Sequence, residues 1–156
     1  MSFNIDAVGE ELTDAVTEAF ENMAFAEVES CEDVETLPSG IDAYCVTVDT
    51  LNPFKSKVAI IIDREASEEL VMDMYGGDIE DVNEEIMNDA LAEIGNTVVG
   101  RFLSRVVDEG QEFSLGFPEC ELYDGARYNR QKNDHTRLYD LDLDDYHIYC
   151  ILESRN

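Results

Sequence analysis

A helix whose two sides disagree in polarity sets the strongest limit on how this chain folds. In Asp89-Ala-Leu-Ala-Glu93-Ile-Gly-Asn96-Thr-Val-Val-Gly100, the apolar residues Met87, Leu91, Ile94, Val98 and Phe102 recur at three- and four-residue steps. That period places them on one side of an α-helix, which must be buried against other elements. Asp89, Glu93 and Asn96 fall on the opposite side, within an arc of about 60° at the usual ~100° per residue. The helix therefore presents a carboxylate and a carboxamide on one outward stripe. An amide both donates and accepts hydrogen bonds and can orient a water; a carboxylate can anchor a cation. A solvated face in an acidic chain is the plainer reading of the same residues.

The pattern occurs twice. Asp14, Glu18 and Glu21 precede Asp89, Glu93 and Asn96 by a constant 75 positions. Leu12, Val16, Ala19 and Met23 precede Met87, Leu91, Ile94 and Val98 by the same step. Two like helices at a domain-sized interval predict a duplicated half-unit with pseudo-twofold symmetry. The copies differ at one decisive place, since Glu21 stands where the later copy has Asn96. The nearby Asn22 is turned by about 100° around the helix. If the amide carries chemistry, only the second copy is competent.

These residues resemble the CheC/CheX/FliY family of chemotaxis phosphatases. The family pattern is an Asp or Ser, three residues, Glu, two residues, Asn, and a Pro a little over twenty residues on. Here it is Asp89, Glu93, Asn96 and Pro118, with Gly100 fitting the pattern after the motif. Asn96 and Pro118 are separated by 21 residues, one fewer than the family spacing. The segments Ala15 to Met23 and Ser67 to Arg105 resemble the helices of CheX-type members. One intact motif beside a degenerate copy is closer to CheX than to CheC.

The resemblance implies a function. The family hydrolyses the aspartyl phosphate of a CheY-like response regulator. Asn96 would position the attacking water, Glu93 would engage a lysine of the partner, and Asp89, Gly100 and Pro118 would support the motif. The chain itself would bind no cofactor, because Mg²⁺ and the phosphoryl group belong to the partner. Phosphoryl transfer suits such a division, being mostly positioning and charge stabilisation. A homodimer is also implied. The alternatives are a non-catalytic module that binds response regulators and an interaction subunit of the flagellar-switch type.

Composition narrows the field further. At 156 residues, one domain with a real core is expected, the first half covering about 8–62 and the motif-bearing half about 78–153. The 37 acids against 10 bases leave a net charge of −27. This argues against nucleic acid, whose phosphates call for Lys and Arg, and against an anionic membrane surface. No apolar run approaches the ~20 residues that span a bilayer. The first residues lack the basic and apolar regions of a signal peptide, so a cytoplasmic protein is expected. Cys31, Cys45, Cys120 and Cys150 form no C-x-x-C, and neither His135 nor His147 completes a zinc spacing. Reduced thiols without disulfide or structural metal are therefore expected.

Periodicity and turn residues divide the chain into alternating elements. Helices are expected over about 8–26, 64–75 and 82–107, the second stopped by Gly76-Gly77 and the third led by the carboxylates of 78–81. Strands are expected at 44–48, 58–62, 112–115, 119–123, 138–143 and 146–152, with Asn52-Pro53 turning between the first pair. Residues 124–137 form a polar loop holding Arg127, Arg130, Lys132 and Arg137, which is either solvated or open to an acidic partner. Asp140-Leu-Asp142-Leu-Asp144 is superficially like a calcium loop. Asp145 replaces the needed Gly and Ile151 the bidentate Glu, so a half-buried strand is the better reading. Together these elements predict an α+β fold with long helices packed on a largely antiparallel sheet.

Overall fold

The structure, a computed structural model, describes residues 4–76, 82–128, 131–143 and 145–155. Three helices cover one face of an antiparallel sheet. In chain order the elements are α1 (Ile5–Ala24), β1 (Ser30–Val34), β2 (Ala43–Asn52), β3 (Ser56–Asp63), α2 (Arg64–Met74), α3 (Glu84–Val106), β4 (Ser114–Leu115), β5 (Glu119–Leu122), β6 (Thr136–Asp142) and β7 (His147–Ser154). A single 3-10 turn occupies Gly125–Arg127.

Each helix begins where a short polar side chain satisfies an otherwise orphaned N–H. The Asn4 carboxamide accepts from the Asp6 N–H at 3.0 Å, Asp63 from Ala66 at 2.9 Å, and Asn83 from Ile86 at 2.8 Å. Glu84 and Glu85 put carboxylates in the first turn of α3, where the helix dipole favours them. The acidic residues 78–81, expected to lead this helix, lie outside the described residues, as does Gly77. Gly76 takes φ +65° just after α2, a left-handed conformation that suits glycine. At the end of α1 the same region is occupied by Phe25, at φ 55°.

The sheet runs β1-β6-β7-β3-β2-β4, with β5 also pairing β2. Every pairing is antiparallel. A twofold axis between β7 and β3 maps this order onto itself. It exchanges β7 with β3, β6 with β2, and β1 with the broken β4–β5 edge. β1, which was not expected from the sequence, supplies the partner that this symmetry of order requires. Its side chains are almost wholly exposed, so it carries no apolar alternation to be read.

Strand alternation builds two cores. Val46, Val48, Val58, Ile60, Ile62, Ile148, Cys150 and Leu152 face the helices and join Leu12, Val16, Leu91, Ile94 and Phe102 in the main core. Cys45, Ala59, Ile61, Leu138 and Ile151 point the other way and are covered by Leu37 and by Tyr123 and Tyr128. The basic loop is largely tied down in this process. Arg127 pairs with Glu121, Lys132 with Asp33 and Glu35, and Arg137, half-buried in β6, with Asp6 at the start of α1. Arg130 lies outside the described residues. Asp140 and Asp142 sit on β6 as a half-buried strand, while Asp144 is not described.

Candidate functional site

The outward stripe of α3 is built from the inside. Leu91, Ile94, Val98 and Phe102 are fully buried beneath it. Gly95 fixes its height, because a Cβ there would run into the Val46 side chain of β2. The helix therefore approaches the sheet at Gly95, and the next residue, Asn96, is turned outward on a closely seated turn. Asp89, Glu93 and Asn96 are all exposed. Among the described residues, none makes a side-chain hydrogen bond or ion pair with any of the three. Gly100 stands one turn beyond Asn96, and a Cβ added there would meet nothing within 4 Å. Its smallness thus serves no packing within the chain and leaves open space beside the amide.

Pro118 reaches the neighbourhood by a different route. β4 pairs Leu115 with Thr50, and β5 pairs Glu119 with Thr47. Gly116, Phe117 and Pro118 therefore oppose only Val48 and Asp49, which leaves one residue too many for the ladder. Such an extra residue bends the strand and turns a side chain away. Proline fits here because it has no N–H to give to a ladder. The Gly116 N–H still bonds the Asp49 carbonyl at 2.8 Å, which holds the entry to the break. Phe117, displaced outward, is 95% exposed. Phe113, just before β4, lines one shallow groove of about 600 Å³ with Asn96, Gly100, Arg101, Arg105 and Glu18.

Glu18 is the counterpart of Glu93 in the first copy, and its situation is the reverse. It accepts hydrogen bonds from Arg101 at 3.1 Å and from Arg105, while Arg105 also reaches Glu11 at 3.4 Å. Asp14 and Glu21 are exposed like their counterparts, but no amide stands at the Asn96 position. The phenylalanines and this arginine–glutamate brace were not identified from the sequence as parts of the site. A phenylalanine between Gly116 and Pro118 was a legible hint, since apolar side chains in a turn have little to pack on. The pairing of Glu18 with residues more than eighty positions away left no sequence signal.

The chemistry available is that of an amide and carboxylates on an open surface. Burial pushes the Cys45 thiol up to about 11 and Cys120 up to about 12, so both stay protonated and unreactive at neutral pH. Among the described residues, no group of three or more His, Cys, Asp or Glu is placed to hold a metal ion. Among them, no helix is long and apolar enough to cross a membrane.

The family model described as chemotaxis phosphatase CheX matches residues 44–140, which include all of α3 and Pro118. The chain belongs to the CheX family. Solved structures agree on the fold. A CheX chemotaxis protein from Desulfovibrio desulfuricans is 15% identical, with a TM-score of 0.73 over 96% of this chain and 99% of that one. The CheX of a CheX–CheY–BeF3–Mg complex from Borrelia burgdorferi is 19% identical, with a TM-score of 0.71 over 94% and 97%. FliY from Thermotoga maritima is 14% identical, with a TM-score of 0.61 over 96% and 87%. No curated protein matches the chain in sequence. The fold is thus the α+β arrangement of CheX and CheC-like proteins, as the sequence implied.

Proposed function

We propose that the chain hydrolyses the aspartyl phosphate of a CheY-like response regulator in chemotaxis signalling. The observation that carries this reading is the free, outward placement of Glu93 and Asn96 on α3 of a CheX-family chain. Asn96 enters the partner's active site and holds a water in line with the phosphorus. Glu93 takes a lysine of the partner, and Asp89 supports the stripe. Gly100 gives the partner's backbone room beside the amide, and Pro118 shapes the adjoining edge. The phosphoaspartate is already labile and the regulator brings its own Mg²⁺, so positioning is the main contribution left to make. A rigid seat for the amide matters for that task, and Gly95 against Val46 provides one. The Borrelia complex of CheX with CheY supports the partner class.

We further infer one CheX-like domain made of two related halves, about 8–62 and 78–153, acting as a homodimer in the cytoplasm. The strand order that a twofold axis maps onto itself supports the duplication. The likeness to FliY favours a second reading, in which the same face binds a partner without catalysis, as an interaction subunit of the flagellar-switch type. The two readings separate in one assay: decay of phosphorylated CheY-like proteins from the same genome, with and without this chain. Acceleration that disappears in Asn96→Ala supports the phosphatase. Binding without acceleration supports the second reading.

A further inference from the structure

The groove beside Asn96 holds a charge arrangement that the proposed reaction does not use. Arg101 and Arg105 of α3 meet Glu18 and Glu11 of α1, two bases against two acids. Elsewhere α3 presents Glu84, Glu85, Asp89 and Glu93, and α1 presents Asp14 and Glu21. In a chain of net charge −27, this is a neutral window in an acidic surface, and it opens beside the amide. Arg101 stands at its rim with 38% of its side chain exposed. Along the axis of α3, Glu93, Asn96 and Arg101 follow in order, with Arg101 turned about 140° round the helix from the amide toward α1, so that it shares the groove with Asn96 rather than the outward stripe.

We propose that Arg101 is the cationic end of a two-ended docking footprint. On binding it exchanges Glu18 for a carboxylate of the response regulator, while Glu93 takes the partner's lysine. The inference rests on the phosphatase reading of the same face. Three arguments support it. The exchange is cheap, since a solvent-exposed ion pair contributes little, and Arg105 stays on Glu18 when Arg101 leaves. An acidic partner can approach closely only where the surface is not itself acidic, and the window provides that place. Unlike charges at Glu93 on the stripe and Arg101 in the groove also reject a reversed pose, in which lysine would meet arginine and carboxylate would meet Glu93. Arg101 lies five residues beyond Asn96, about 7.5 Å along the axis at the usual helical rise. It therefore meets the rim of the partner's pocket rather than the reacting phosphorus.

The test uses a CheY-like regulator from the same genome, loaded with BeF3 and Mg²⁺ for binding and phosphorylated for turnover. Binding is measured at two salt concentrations for the wild type, Arg101→Gln, Arg101→Lys, Glu18→Gln and the double variant. Arg101→Gln is expected to weaken binding about tenfold and to flatten its salt dependence, with the saturated rate unchanged. Arg101→Lys, which keeps the charge, should recover most of the affinity. Glu18→Gln frees the arginine and should tighten binding about threefold, a gain absent from the double variant. A merely structural brace would make Glu18→Gln weaken binding as Arg101→Gln does, and that result overturns the proposal. Loss of the saturated rate with unchanged affinity also overturns it, because it places Arg101 on the phosphoryl group. A wild type that binds and turns over, matched by Arg101→Gln in affinity, overturns the footprint alone. A wild type that neither binds nor accelerates overturns the phosphatase reading and the footprint with it.

Discussion

α1 and α3 lie on the same face of the sheet and bury matching stripes, yet they treat their polar sides in opposite ways. Leu12, Val16 and Ala19 are as fully enclosed as Met87, Leu91 and Ile94. The outward residues diverge. Glu18 is engaged by two arginines, whereas Glu93 has no such partner among the described residues. Glu21 occupies the place of Asn96. The inner sides diverge at one position as well, because Phe20 of α1 corresponds to Gly95 of α3. Phe20 is fully buried in the main core, while Gly95 leaves no room for a Cβ against Val46. Equal burial with unequal surfaces shows that two helices with matching buried stripes need not present matching sites. One copy acts as a brace; the other keeps a seated, unengaged amide.

The largest effects should fall where the helices agree. Leu12→Ala and Met87→Ala each remove a buried side chain at equivalent positions, and each should cost about 2–5 kcal/mol in denaturant unfolding. A large loss at one and a negligible loss at the other would break the equivalence. The next effect belongs to α3. Gly95→Ala forces a methyl group into the Val46 side chain and should cost about 1–3 kcal/mol. Gly9→Ala in α1 drives a methyl group into the hydroxyl and ring of Tyr139, itself buried in the core, and should cost at least as much. A Gly95→Ala variant that unfolds like the wild type would show that α3 has no close seat on Val46.

Docking should separate the two polar sides more finely. Glu93→Ala is expected to weaken binding of a CheY-like regulator about tenfold, with little change in the saturated rate. Glu21→Ala should leave both unchanged, and binding assays on the pair sharpen the assignment of one working copy. The smallest effect carries an informative sign. Gly100→Ala adds a methyl group where nothing in the chain opposes it. It should stabilise the free protein by about 0.5–1 kcal/mol through helix propensity while weakening partner docking. Stabilisation without any loss of docking would remove Gly100 from the interface.

Most of this architecture was legible from periodicity. The three helices and the strands β2, β3, β6 and β7 carry runs that bury one face, and burial is what produces the pattern. β1 was not legible, because a strand held by backbone bonds to β6 with exposed side chains needs no apolar alternation. The motif stripe on α3 was legible because helical spacing alone brings Asp89, Glu93 and Asn96 together. The groove was not, because it joins α3 to Glu18 and to Phe113 through tertiary packing. The basic residues of the 124–137 loop gave no hint that Arg127, Lys132 and Arg137 are matched internally to Glu121, Asp33 and Asp6. Ion pairs between distant segments leave no local trace in a chain with 37 acids.

The role proposed for Asn96 is that this one outward amide on α3 does the chemistry. Its most direct measurement is the decay of a phosphorylated CheY-like regulator, in Mg²⁺, with excess wild-type protein and with Asn96→Ala. The wild type should accelerate decay, and Asn96→Ala should lose about a hundredfold or more of that acceleration, since a positioning group is removed. Unfolding should stay near wild type, because the side chain is exposed and has no hydrogen-bond partner among the described residues. Full acceleration by Asn96→Ala would rule out this role for the amide.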